Sequence, residues 1–286
     1  MKILSISDIY EDIDLVEQLR ERFHQEQIDI ILVTGGIGFY HPRRNKEYND
    51  NVNRIFGILS SIGEKVIFVP GGTDSEELQI DNPKIINIDK DSYLFDKYIK
   101  IGFLGLGGVP RHSIRNKEEF QYTWDEGIFF DSHLKKLKVA YEKVEVDNPD
   151  YFILVTHSPP YKIADYAKKI TLNVLSNVEE FEEEDKPKKE KISANPVHLG
   201  SRIIKEFLNR KRVDIHVFGH VNKKGGSKVN MGKTTFFNVS HLSSEPYKLT
   251  GRKYLILNVG RNNMNYNFDS LVNKYISFEE FVGRYL

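Results

Sequence analysis

Three side chains able to hold a metal stand at the ends of short β-branched runs. Asp8 follows the run Lys2 to Ser7, His157 closes the run Tyr151 to His157, and His220 follows Asp214 to Gly219. In parallel α/β sheets, ligands gather beyond the carboxyl ends of the strands, so the residues just after each run are the ones placed to do chemistry. Those segments read Ser7-Asp8-Ile9-Tyr10, Thr34-Gly35-Gly36-Ile37-Gly38, Pro70-Gly71-Gly72-Thr73-Asp74, Thr156-His157-Ser158-Pro159-Pro160 and Phe218-Gly219-His220-Val221-Asn222. One carboxylate and two imidazoles suit a divalent Mn, Zn or Fe ion. Cysteine is absent, which removes thiolate ligands, Cys nucleophiles and disulfides together. Asp12, His41, Asp74 and His112 are further donors that could complete a site, with His112 in the Gly105 to Ser113 loop expected to border the cleft. His41 precedes Pro42 in a polar loop and is expected to face solvent. His216 alternates with apolar neighbours inside a strand, the pattern of a buried, hydrogen-bonded imidazole, while His24, His133 and His241 have no comparable context.

The elements that must position these residues follow from periodicity. The runs Lys2 to Ser7, Ile28 to Gly35, Lys65 to Gly71, Tyr151 to His157 and Asp214 to Gly219 read as buried strands. Leu15/Leu19/Phe23 and Val52/Ile55/Phe56/Leu59 lie between the first three at helical spacing, giving a βαβ parallel sheet. Ser92 to Gly107 and Gly226 to Phe268 alternate apolar and polar residues with Gly or Asn turns, which predicts antiparallel strands and a second sheet. Helices are expected over Phe130 to Val144, His198 to Asn209 and Ser277 to Tyr285. The fold class is therefore α/β, a two-sheet α/β sandwich flanked by helices. One domain is expected over 1–270, interrupted by the charged loop 179–191 (Glu179 to Lys191), with a helical tail over 271–286.

The order and spacing of the strand-end segments resemble the calcineurin-like metallophosphoesterases. That family carries Asp-x-His, Gly-Asp, Gly-Asn-His-Asp, a lone His and Gly-His-x-His at the corresponding places. His157-Ser158-Pro159-Pro160, His198-Leu199-Gly200-Ser201 and Val217-Phe218-Gly219-His220 extend the resemblance through the second half. It implies two-metal hydrolysis of phosphate esters, in which paired cations share a carboxylate and activate a bridging water. It also implies which residues are altered. Tyr10 stands at the first His, Gly36 at the bridging Asp, Gly72 at the Asn, Thr73 at the catalytic His and Asn222 at the final His. Asp8, His157 and His220 are the ligand positions that remain. Two dications about 3.5 Å apart repel by roughly 19 kcal/mol at an effective dielectric constant of about 20, and Asp8 is the one inherited metal-binding carboxylate left to offset that.

The resemblance thus implies a degenerate, catalytically inactive member acting as a binding or regulatory scaffold. The alternative is a weak or altered divalent-metal-dependent phosphoesterase, holding at most one Mn, Zn or Fe ion. Asp74 matches the position that orients the catalytic His, and with Thr73 beside it becomes a local turn or cap partner. His198 matches a position that opens a helix near the site. The glycine pairs Gly35-Gly36 and Gly71-Gly72, with Arg43, Arg44, Arg111 and Arg115 in neighbouring loops, leave two readings open: an anion-binding nest, or glycine filling space where ligands were lost.

Composition bounds the partners. Lys plus Arg and Asp plus Glu are balanced at 41 each in 286 residues, so nucleic acid is not favoured, and a protein partner or a phosphorylated ligand stays open. No apolar run nears the roughly 20 residues that cross a bilayer, and no signal peptide is read at the start, so a cytoplasmic location is expected. A charged fraction of 29% with three Met and no Cys fits a heat-adapted protein.

Overall fold

A computed structural model describes residues 1–78, 80–114, 120–167, 197–240, 242, 252–261 and 263–271. In chain order the elements are β1 (Lys2–Ile6), α1 (Ile13–Phe23), β2 (Ile28–Val33), α2 (Asn45–Ile62), β3 (Gly63–Phe68), β4 (Ile85–Asn87), β5 (Ser92–Asp96) and β6 (Lys100–Leu106). Then come β7 (Val109–Pro110), β8 (Thr123–Trp124), α3 (Glu126–Glu145), β9 (Tyr151–Thr156), β10 (Tyr166–Ala167), β11 (Val197–His198) and α4 (Arg202–Arg210). The chain finishes with β12 (Ile215–Phe218), β13 (Ser227–Met231), β14 (Thr234–Asn238), β15 (Arg252–Val259) and β16 (Met264–Leu271).

The strand runs lack polar alternation because both faces of each sheet are covered. In β1 and β2, Ile3, Ile30 and Leu32 face the opposing sheet, while Leu4, Ile31 and Val33 face helices α1 and α2. The inter-sheet layer is completed by Ile101, Phe103, Ile153, Val155, Ile215 and Val217 from the second sheet. That sheet's outer face, with Leu104, Phe152 and Leu154, packs on Leu134, Leu137 and Tyr141 of α3 and on Ile203 and Phe207 of α4. The result is four layers, helix, sheet, sheet, helix, as the pattern of two sheets flanked by helices predicts.

The sheets are six-stranded and mixed, in the orders β16-β15-β1-β2-β3-β4 and β13-β14-β12-β9-β6-β5. Register sets the site: Ser5 pairs with Leu32 and Ile6 with Val33 in one sheet, and Phe218 with Thr156 in the other, so the strand ends carrying Asp8, His157 and His220 finish level with one another.

Three expectations are corrected. Gly226 to Phe268 does not form one sheet: the β13–β14 hairpin joins the second sheet, where β14 runs parallel to β12, but the β15–β16 hairpin returns to the first, with β15 antiparallel to β1. Alternation within a hairpin says nothing about which sheet receives it. Helix α3 begins at Glu126, ahead of the expected Phe130, because the Asp125 side chain caps it at Gly127 N. Its first turn exposes Ile128 and Phe129, so the apolar face starts later than the helix. Helix α4 begins at Arg202, not at His198. Ser201 is its cap, with Oγ accepting from Ile204 N at 3.2 Å, and His198 belongs to β11, paired with Tyr166.

The loop Glu179 to Lys191, the tail beyond Leu271 with its expected helix, Arg115 and His241 lie outside the described residues. Among the described residues, no helix is long and apolar enough to cross a membrane.

Candidate functional site

The turn after β1 is laced to the turn after β2: Asp8 N donates to Gly35 O at 3.0 Å, Tyr10 N to Gly36 O at 2.9 Å and Glu11 N to Ile37 O at 2.8 Å. This lacing holds Asp8, Tyr10 and Glu11 in the left-handed region, with φ of 59°, 51° and 60°. Non-glycine residues are held there at a cost that cross-strand contacts must offset, a mark of functional turns. His220, at φ 71°, is held likewise after β12.

Asp8 is fully buried, and Tyr10 sits over it with its hydroxyl donating to Oδ1 at 3.0 Å and its ring stacked on Phe39 at 4.8 Å. Burial and the neighbouring Asp8 charge push the Tyr10 phenol well above its ordinary range, so it stays a donor. Asn222 approaches the same hydroxyl and opposes that shift. Asp8 Oδ2 is buried without a hydrogen-bond partner, as are Thr73 Oγ1 and Asn222 Oδ1.

Across the cleft, His157 Nδ1 donates to Thr34 O at 2.7 Å, since a carbonyl can only accept. That fixes the ring's orientation and turns Nε2 away from Thr34. The His157 and His220 rings lie 5.2 Å apart, and His220 Nε2 is 3.2 Å from Ser113 Oγ. Burial, reinforced by His157, pushes the His220 imidazole down to about 3, so it is neutral.

Asp74 does far more than cap a local turn. It is fully buried, and its carboxylate accepts from Gly71 N (2.6 Å), Gly36 N (2.9 Å), Ile37 N (2.9 Å) and Gly38 N (2.8 Å). Burial pushes its carboxyl up, while the N–H groups of Gly71, Gly38 and Ile37 oppose the shift. The anion nest expected of the glycine pairs therefore exists, but the anion in it is the chain's own Asp74. Nor does Arg44 attend it: this side chain pairs with Glu47 at 2.7 Å and with Glu11 at 3.7 Å.

The altered positions have closed in. A Cβ on Gly36, at φ +67°, would lie 2.8 Å from Asp8 Oδ1, and one on Gly72 would lie 2.6 Å from Val109 Cγ2. Among the described residues no group of three or more His, Asp or Glu side chains forms a metal-ligand set. The donors present do not fit a paired-metal centre.

The remaining candidates separate from this cluster. Asp12 caps α1, accepting from Leu15 N at 3.1 Å, and His41 is exposed as expected. His112 is exposed and faces a neighbouring cavity, shared with His198, rather than Asp8. His216 is buried as expected but half satisfied. Its Nε2 donates to Thr156 Oγ1 at 2.8 Å, Nδ1 has no partner, and burial pushes the ring down to about 3. Ser113 and Asp165 are site residues that sequence reasoning missed. Neither sits in a motif, and only the three-dimensional loop arrangement brings Ser113 to His220.

The sequence pattern of the calcineurin-like phosphoesterases matches residues 1–224. The chain belongs to that family. No curated protein matches this phosphoesterase-family chain in sequence. Solved structures share its fold: a dimetal phosphatase from Danio rerio at 10% identity and TM-score 0.60, covering 94% of this chain and 96% of that one. A protein of Thermus thermophilus is 14% identical with a TM-score of 0.55, over 93% of this chain and 97% of that one. A putative 5'-nucleotidase from Staphylococcus aureus is 10% identical with a TM-score of 0.52, over 98% of this chain and 56% of that one.

Proposed function

We propose that this calcineurin-like phosphoesterase binds rather than hydrolyses: a cytoplasmic pseudoenzyme, from a heat-adapted source, whose partner is a protein or a phosphorylated ligand. The observation that carries this reading is the Tyr10 hydroxyl 3.0 Å from Asp8 Oδ1. A neutral phenol supplies by hydrogen bonding what a cation would supply to the one inherited carboxylate. The other altered positions support it. Gly36 and Gly72 offer no donor atom, Thr73 offers a hydroxyl that does not titrate near neutrality, and Asp74 is committed to the glycine turns.

One observation favours a second reading, a weak phosphoesterase using a single Mn, Zn or Fe ion. Asp8 Oδ2 is unpaired, and the His157 and His220 rings are close together. These residues would then hold the ion, which would supply Lewis-acid polarisation of the phosphate.

Turnover of p-nitrophenyl phosphate and bis-p-nitrophenyl phosphate with added Mn²⁺ decides between them. The binding reading expects background rates in wild type and in His157→Ala/His220→Ala alike. Manganese-dependent turnover abolished in that variant would establish the second reading.

A further inference from the structure

A cavity of about 750 Å³ opens beside the residual site, its walls including Arg111, His112, Phe130, Tyr161, His198 and Arg202. This volume suits a small molecule. The short helical turn Arg111–Ser113 joins the two places, since Ser113 reaches His220 while Arg111 and His112 line the cavity.

Within the cavity, His198 is held in place by its neighbours. Its Nδ1 lies 2.8 Å from Asp165 Oδ1, and a carboxylate can only accept, so Nδ1 carries a hydrogen and Nε2 is the nitrogen left to meet a ligand. Asp165 is fully buried and fixed in turn by Lys162 N at 2.8 Å and Gly200 N at 3.2 Å.

Asp125 and Glu126 line the same cavity as the arginines, and these charges are unequally committed. Asp125 accepts from Gly127 N at 2.9 Å. Glu126 accepts from the Ser201 hydroxyl and from the N–H groups of Arg202 (3.1 Å) and Ile203 (3.4 Å) at the start of α4. Both carboxylates thus rest on helix N-termini, where backbone donors balance them. Arg111 and Arg202, by contrast, have no carboxylate partner among the described residues. The Arg202 guanidinium lies 5.2 Å over the Tyr161 ring, which orients it without neutralising it.

We propose that this cavity is a metal-independent binding site for a small molecule bearing a phosphate or carboxylate oxyanion, clamped by Arg111 and Arg202 with His198 as a third contact. Guanidinium forks match the oxygens of either group. Asp165 is the positioning residue for His198, and Tyr161 and Phe130 offer apolar surface to the body of the ligand. The inference names a ligand class for the binding role proposed above and rests on that reading only in expecting capture without turnover.

The test is calorimetry in EDTA with adenosine monophosphate, inorganic phosphate and citrate, alongside NMR of the His198 imidazole. Saturable binding of at least one probe with a Kd below about 1 mM is expected, with His198 resonances shifting on saturation. Affinity should fall about tenfold in Arg202→Gln and further in Arg111→Gln/Arg202→Gln. Binding of the phosphates alone identifies the ligand as phosphorylated, binding of citrate alone as a carboxylate, and either supports the site. No saturable heat or His198 shift up to about 10 mM of any probe overturns it, as does undiminished affinity in a folded double variant. Should the double variant fail to fold, Arg111→Gln alone decides the matter, because that residue is exposed: a several-fold loss supports the site and unchanged affinity overturns it. Hydrolysis of adenosine monophosphate on adding Mn²⁺ would instead contradict the binding-only reading while leaving the site assigned.

Discussion

The two sheets contribute unequally to the cleft. At the ends of β9 and β12, His157 bonds to Thr34 O and His220 is held neutral by burial, and only Asn222 departs from the family pattern. At the ends of β1, β2 and β3 the change runs through Tyr10, Gly36, Gly72 and Thr73 together, and the turns have closed on each other around Asp74. The departure from the family pattern on this side is therefore more than a change of residue types. One half of the cleft has been rebuilt as a self-satisfied hydrogen-bonded unit, in which a buried carboxylate does for four N–H groups what a bound anion would do.

The largest way to break this comparison is Asp74→Ala. It leaves four buried donors without an acceptor, so a loss of about 3 kcal/mol or more is expected in urea denaturation. His157→Ala, on the other side, should cost clearly less. Equal losses would mean that Asp74 does not organise its half.

Reversion sharpens the same point. Tyr10→His, Gly36→Asp, Gly72→Asn and Thr73→His together restore the family's residue types at the ends of β1, β2 and β3. Yet the space for side chains at 36 and 72 is filled by Asp8 and Val109. Overpacking of about 1 to 3 kcal/mol is expected, read as a lower melting temperature, with no manganese-dependent turnover. Turnover in that variant would show that the turns can reopen.

The smallest effect is a pH slope. The His216 imidazole is held down to about 3 in the fold, against an ordinary value of 6.5. The unfolded chain then binds the extra proton first as pH falls. The contribution is intact above about pH 6.5 and is lost progressively as pH falls toward 3. In His216→Gln that increment of slope should vanish from stability measured across the window, and an unchanged slope would refute the assignment.

Much of this is legible in the sequence. The runs ending in Ser7, Gly35, Gly71, His157 and Gly219 coincide with β1, β2, β3, β9 and β12 to within three residues at either end, because strands buried on both faces are continuous apolar runs. Asp8, Tyr10, Asn222, His157 and His220 converge as strand-end residues should. What stays hidden depends on contacts distant in sequence. Asp74 reaches residues 36 to 38 through the parallel pairing of β2 with β3, and no local signal announces that. His198 reads as helical because Ser201, the actual cap, lies within the same motif. The Arg111 and Arg202 cavity needs the Arg111–Ser113 turn and α4 to meet, which periodicity does not encode.

The most direct test of the central claim is calorimetric titration of the purified, EDTA-treated protein with Mn²⁺ and Zn²⁺, beside His157→Ala/His220→Ala. A first-sheet half already satisfied by Tyr10 and Asp74 predicts no stoichiometric binding in either protein. One or two equivalents bound by wild type and lost in the variant would contradict the account and show that the cleft still takes metal.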